Sequence, residues 1–229
     1  MYSNLTEPKT FFITGMPRGG TTIVARVFDS LTDGFCLGEP HWYHYHNEDM
    51  ECVKTNCFGK VPDASDDIHT LLPDIESYLL KNGVYNVGGY KETYFWGNPL
   101  AQNLILDHRT QVDFYIVVLR DPRMVFTSMS DLGWRVSKNR FLRCYKELDV
   151  FARNGIVVVY EDFVKDPLGY LNERLPFKIE GELELVPTTH KYGDPYANRS
   201  TKIEMSKRVA TTAYKLERAT EIWRSHLSA

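Results

Sequence analysis

The sequence predicts a three-layer α/β/α fold built on a central parallel sheet. Three observations carry that expectation. Residues 11–15, 112–119 and 156–160 form nearly continuous apolar runs, as strands covered on both faces do. Each run ends at a turn signal, Gly19-Gly20, Asp121-Pro122 or Asp166-Pro167, and then passes into a segment of helical character. Strand and helix alternate along the chain, the pattern of crossover helices on a parallel sheet. A length of 229 residues is enough for one sizeable core, so a single domain over 1–229 is expected.

The elements follow in order. Residues 11–15 are the first strand, and Met16-Pro17-Arg18-Gly19-Gly20 is a loop. Residues 21–31 place Ile23, Val27 and Leu31 on one helical face. Residues 34–37 read as a short second strand, and 41–64 carry no period. Residues 68–80 have helical spacing, with Pro73 as an alternative start. Residues 85–91 read as a strand and 99–109 as a helix. Residues 112–119 form the strongest strand, after which Asp121 can cap a helix whose first turn holds Pro122. A helix at 141–152 precedes the strand at 156–160, and Asp166-Pro167 opens a short helix to about Arg174. Residues 181–200 are irregular, and 206–226 form a long terminal helix whose mixed charges suit a solvated face.

Composition limits the function. Lys and Arg total 27 against 30 Asp and Glu, so the net charge of −3 speaks against a broad nucleic-acid footprint. No run of 18 apolar residues exists to form a membrane span, and the first ten residues lack the features of a signal peptide. The four cysteines, Cys36, Cys52, Cys57 and Cys144, therefore read as free thiols, and a cytoplasmic setting is expected. The sequons at Asn4 and Asn198 then read as chance matches.

Two motifs carry chemistry. Gly15 and Gly20 have the spacing of a nucleotide phosphate loop, and Thr22 takes its Ser/Thr position. The lysine position holds Thr21, which disfavours ordinary ATP or GTP hydrolysis, while Arg18 brings a cation from elsewhere in the loop. Backbone N–H groups of Gly19, Gly20, Thr21 and Thr22 at a helix start can still cradle an anion. The second motif joins Arg120, at the end of a buried strand, to Ser128 eight residues later. Strand carboxyl ends are where ligands bind in open α/β sheets, and Arg with Ser can hold a phosphate. A ligand with two separated phosphates, such as an adenosine 3′,5′-bisphosphate derivative, uses both motifs. Without such a ligand, the loop is a plain turn and Arg120 pairs with a carboxylate.

Taken together, these residues resemble the sulfotransferase superfamily. Pro17-Arg18-Gly19-Gly20-Thr21-Thr22 is similar to its P-R-S-G-T-T loop, with Gly19 in place of serine. Arg120 and Ser128 match its 3′-phosphate motif, and Tyr160-Glu161-Asp162-Phe163 with Pro167 resembles its Y-E-D-L-x-x-x-P turn. The closest flavour is the tyrosylprotein-sulfotransferase-like and bacterial branch, whose G-E motif corresponds to Gly38-Glu39. The R-K-G loop of cytosolic hormone and phenol sulfotransferases is not seen.

The resemblance implies a P-loop-like sulfotransferase fold, the donor 3′-phosphoadenosine 5′-phosphosulfate (PAPS), and no metal. It implies in-line transfer of sulfuryl to a hydroxyl or amine, with Glu39 as base and Lys91 and Arg18 stabilising the leaving group. Arg18, Gly19, Gly20, Thr21, Thr22, Arg120 and Ser128 would bind the donor. His41, His44 and His46 are rival bases; with Cys52 and Cys57 they do not have the spacing of a recognised zinc site. The acceptor stays open among carbohydrate, peptide tyrosine, lipid and small metabolite, with residues 41–66 and 181–200 expected to shape its pocket. The alternatives are a small-molecule kinase with a degenerate loop and a non-catalytic nucleotide-binding protein.

Overall fold

The structure is a computed structural model. It describes residues 2–3, 5, 7–31, 33–40, 71–83, 85–94, 106–180 and 207–227. Within these, the strands are β1 (Tyr2–Ser3), β2 (Lys9–Gly15), β3 (Gly34–Gly38), β4 (Val87–Thr93), β5 (Phe114–Leu119), β6 (Ile156–Val159) and β7 (Lys178–Ile179). The helices are α1 (Thr21–Ser30), α2 (Leu71–Asn82), α3 (Pro122–Asp131), α4 (Lys138–Ala152), α5 (Tyr160–Phe163), α6 (Pro167–Asn172) and α7 (Lys207–Ser225).

Five strands form one parallel sheet in the order β3-β4-β2-β5-β6. The apolar strands bury both faces, as their unbroken hydrophobicity predicts. One face sends Phe12, Leu37, Tyr90, Val117 and Leu119 into a core shared with α2, α3, α4 and α7. The other sends Phe11, Ile13, Cys36, Ile116 and Val118 into a core shared with α1, α5 and α6. The three-layer α/β expectation holds. From β2 the chain crosses to the edge strand β3, whereas β5 lies on the other side of β2. The sheet therefore has its switch point between β2 and β5, the position beside whose strand carboxyl ends open α/β sheets bind ligands.

Local chemistry sets the element ends. Asp121 caps α3 by accepting from the Arg123 N–H at 2.9 Å, with Pro122 in the first turn. Asp166 does the same for α6, accepting from Gly169 N–H at 3.1 Å. Pro73 lies inside the first turn of α2, where its missing N–H is harmless.

Several bounds differ from the sequence reading. β5 starts at Phe114 rather than 112, because the Asp113 carboxylate is drawn off to the Thr10 N–H at 2.8 Å. β6 stops at Val159, and Tyr160 opens α5 instead of continuing the strand, because its ring is held at the loop after β2. The pairing of β1 with β7 has no counterpart in the sequence pattern, because two-residue strands carry no periodic signal. Of the helix expected at 99–109, residues 106–109 are described: 106–108 are helical and Arg109 lies in a turn. Cys36 and Cys144 are buried free thiols.

Candidate active site

The loop after β2 and the start of α1 form the base of the site. Gly20 stands at the N-cap with φ 97°, a conformation natural only to glycine, and offers no side chain to cap the helix. The start of α1 thus lacks a side-chain cap and is a candidate anion site, although the Gly19 N–H already donates to the Met16 carbonyl oxygen at 2.8 Å and the Ile23 N–H to the Gly20 carbonyl at 3.1 Å. A Cβ on Gly20 would lie 2.2 Å from the Tyr160 ring. A Cβ on Gly19 would lie 2.6 Å from the Met16 carbonyl oxygen, so this loop has no room for a serine there. We expect Gly20→Ala to cost about 2 kcal/mol of stability, from strain plus overpacking, read as a lower denaturant midpoint. An unchanged midpoint would mean Tyr160 does not pack against the loop.

Two clusters of polar side chains flank this base. In the first, the Lys91 ammonium from β4 bonds Glu39 Oε1 at 2.7 Å and Thr22 Oγ1 at 3.3 Å. Strand register explains the meeting: Lys91 pairs with Gly38 of β3 and with Ile13 of β2. Glu39 follows β3 directly, and its N–H bonds the Lys91 carbonyl at 2.7 Å. The Lys91 side chain is only 6% exposed, and an ammonium so buried requires such partners. Glu39 keeps 29% of its side chain open, so its carboxylate is reachable from outside. Lys91 is therefore not a solvated surface lysine.

In the second cluster, Arg18 Nε donates to Ser128 Oγ at 3.1 Å, and Arg120 Nη1 donates to the Arg18 carbonyl at 2.9 Å. The Arg120 guanidinium stacks 4.4 Å from the Tyr160 ring centroid. Its Nε is buried without a hydrogen-bond partner among the described residues, an orphaned donor in a cationic setting. No described carboxylate pairs with Arg120 through a hydrogen bond or ion pair. Arg18, expected to serve both clusters, lies in the second.

The non-glycine residues with positive φ among those described are Arg18 at 65° and Glu39 at 56°. Both belong to this site. Strained backbone at two site residues and at no other described non-glycine position is the pattern of a functional constraint.

The end of β5 is held from several directions. Burial keeps the Tyr145 phenol protonated, with its pKa well above the ordinary value, and it donates to the Arg120 carbonyl at 2.8 Å. Glu161 accepts from the Asp121 N–H at 2.9 Å and from the Trp223 indole of α7 at 3.2 Å. Burial pushes the Glu161 carboxyl up, against these bonds and the nearby Arg120 charge. In the sequence, Tyr160 and Glu161 stand out only within the turn that resembles the family's, with no role at an anion site. The available signal was an aromatic and a carboxylate directly after a buried strand of the same sheet.

Thr21 starts α1 with its side chain buried, so it offers the site its backbone. His41, His44, His46, Cys52 and Cys57 lie outside the described residues, as do the segments 41–66 and 181–200. Among the described residues, no helix is long and apolar enough to cross a membrane, and no three His, Cys, Asp or Glu residues gather as metal ligands.

No protein-family model matches the chain, and no curated protein matches it in sequence. Solved structures do. The sulfotransferase from Alicyclobacillus acidocaldarius is 13% identical over 96% of each chain, with a TM-score of 0.47. The sulfotransferase domain of the Synechococcus PCC 7002 olefin synthase is 16% identical over 99% of this chain and 98% of its own, with a TM-score of 0.53. By that second likeness, the chain has the sulfotransferase fold.

Proposed function

We propose that the protein is a sulfotransferase moving a sulfuryl group from PAPS to an acceptor hydroxyl, or amine, by in-line displacement at sulfur. The observation that carries the reading is the pairing of two polar clusters about one uncapped helix start: Lys91–Glu39–Thr22 on one side, Arg18–Ser128–Arg120 on the other. A donor with a 5′-phosphosulfate and a 3′-phosphate needs two anion sites; a nucleoside triphosphate needs one. The residues fit such a donor. The orphaned Arg120 Nε is a buried donor suited to an anion, and the α1 start beside it has no side-chain cap.

PAPS supplies the sulfuryl group and, after transfer, leaves as adenosine 3′,5′-bisphosphate. Arg120 and Ser128 would hold the 3′-phosphate, with Arg18 bridging toward the loop. The N–H groups of Gly20, Thr21 and Thr22 would hold the 5′ end, while the Gly19 N–H is taken by the Met16 carbonyl oxygen at 2.8 Å and shapes the loop. Glu39 takes the proton of the acceptor hydroxyl as the oxygen–sulfur bond forms. The bond that breaks joins sulfur to the nucleotide oxygen, and Lys91 supplies positive charge for that oxygen as it leaves; Arg18, whose Nε is held at Ser128, would have to leave that bond to assist. Lys91 thus brings from β4 the cation that Thr21 does not supply in the loop. No metal is invoked, because these cations already answer the charge. We propose a cytoplasmic setting, supported by the free thiols of Cys36 and Cys144.

The test is calorimetric titration with adenosine 3′,5′-bisphosphate, compared with ATP plus magnesium. Clear preference for the bisphosphate is the expected result and justifies screening carbohydrate, peptide tyrosine, lipid and small-metabolite acceptors with PAPS. Preference for ATP would replace the reading with a kinase. Binding of neither would leave a fold whose nucleotide chemistry is gone.

A further inference from the structure

The peptide linking Arg120 to Asp121 lies just past the end of β5, beyond the reach of the sheet's own hydrogen bonds. Both of its polar atoms are nevertheless held by side chains. Tyr145 of α4 donates to its carbonyl oxygen at 2.8 Å, and Glu161 of α5 accepts from its N–H at 2.9 Å. The second Glu161 oxygen accepts from Trp223 Nε1–H of α7 at 3.2 Å, and Trp223 is itself buried in the core. One carboxylate therefore ties the terminal helix to the peptide that aims Arg120. The neighbouring Tyr160 supports the guanidinium from below, 4.4 Å from its ring centroid.

We propose that Glu161 is a positioning residue for the second anion site, and that Trp223 of α7 fixes it there. The inference rests on the sulfotransferase reading, in which Arg120 reads the 3′-phosphate. The physical basis is the plane of a single peptide. With its N–H and C=O both clamped, the plane cannot rotate, and the Arg120 Cα–Cβ direction is fixed before any ligand arrives. Releasing one clamp leaves Arg120 charged and present but no longer aimed. Glutamine at 161 keeps the size of the side chain but presents one oxygen and one NH2 group. It must turn a donor against either the Asp121 N–H or the Trp223 indole. Phenylalanine at 223 keeps an aromatic ring and leaves the Glu161 charge in place, removing only the donor.

The experiment titrates wild type, Glu161→Gln, Trp223→Phe and Arg120→Ala with adenosine 3′,5′-bisphosphate and with adenosine 5′-phosphate. The quantity read is the preference for the bisphosphate over the monophosphate. Loss of one hydrogen bond to a charged group corresponds to about tenfold, so E161Q is expected to lose about tenfold of that preference. W223F should lose a smaller part in the same direction, and R120A most of it. Monophosphate affinity should change by less than about twofold in E161Q, since the loop after β2 is untouched. A general folding defect would weaken both ligands alike, and that result overturns the proposal. So does an unchanged preference in E161Q and W223F. Glu161 also places a negative charge near Arg120. If charge alone mattered, E161Q would tighten the bisphosphate while W223F did nothing, and that outcome overturns it too. If wild type shows no preference for the bisphosphate, the sulfotransferase reading fails first and the inference falls with it. The wild-type row thus separates the two failures.

Discussion

Glu39→Gln should lower turnover by about 10²–10⁴-fold, the span that a positioned general base contributes, while leaving bisphosphate affinity close to wild type. The expectation follows from what glutamine keeps. Its amide oxygen can still accept from the Lys91 ammonium, now 2.7 Å from Glu39 Oε1. The ammonium therefore stays partnered in its buried position, and the fold around it has little reason to move. What is lost is the capacity to receive a proton. If Glu39 served only to hold Lys91, glutamine would be nearly silent, and turnover within about threefold of wild type would remove Glu39 as the base. His41, His44 and His46 would then be the next residues to replace. Single-turnover rates with PAPS and an accepted hydroxyl compound are the measurement, because they separate chemistry from product release.

Replacing Lys91 by methionine should lower turnover by about 10²–10³-fold, the cost found when one preorganised donor to developing charge is removed. Lys91 stabilises charge that appears only as the leaving oxygen departs, so the loss should fall on kcat more than on KM. Methionine nearly conserves the volume of a side chain that is 6% exposed, which keeps packing out of the result. Glu39 loses its cation in this variant, but its 29% exposure lets water take part of that role. A variant whose KM for PAPS rises while kcat holds would show Lys91 binding the donor uniformly. Its place beside the leaving group would then be given up. The pair of variants also tests the geometry. Because the two side chains touch, the double substitution should cost clearly less than the product of the single effects.

The layers and the first half of the site are legible in the residue order alone. Unbroken apolar runs left residues such as Ile116 and Val158 no choice but a strand buried on both faces. Glycine spacing placed an anion cradle after the first of these runs, because φ 97° at Gly20 and the close approach at Gly19 are open to few other residues. Arg120 with Ser128 was legible as a spacing, though not Arg18's reach to Ser128 across 110 positions.

Contacts between elements distant in the chain come from the fold. Glu39 and Lys91 are 52 residues apart, and no local pattern joins them. They meet because β3 pairs with β4 in a register that sets Gly38 beside Lys91. The positive φ at Glu39 and Arg18 is equally hidden, since neither residue type announces it and only surrounding packing can hold it. The clamp on the Arg120 peptide draws on α4, α5 and α7 at once, with Trp223 62 residues from Glu161. Propensity and periodicity act over a few residues, whereas strand register and helix docking settle which distant side chains share a cavity. Sequence can therefore name the chemistry of the candidate groups, and the fold alone sets the distances at which they act.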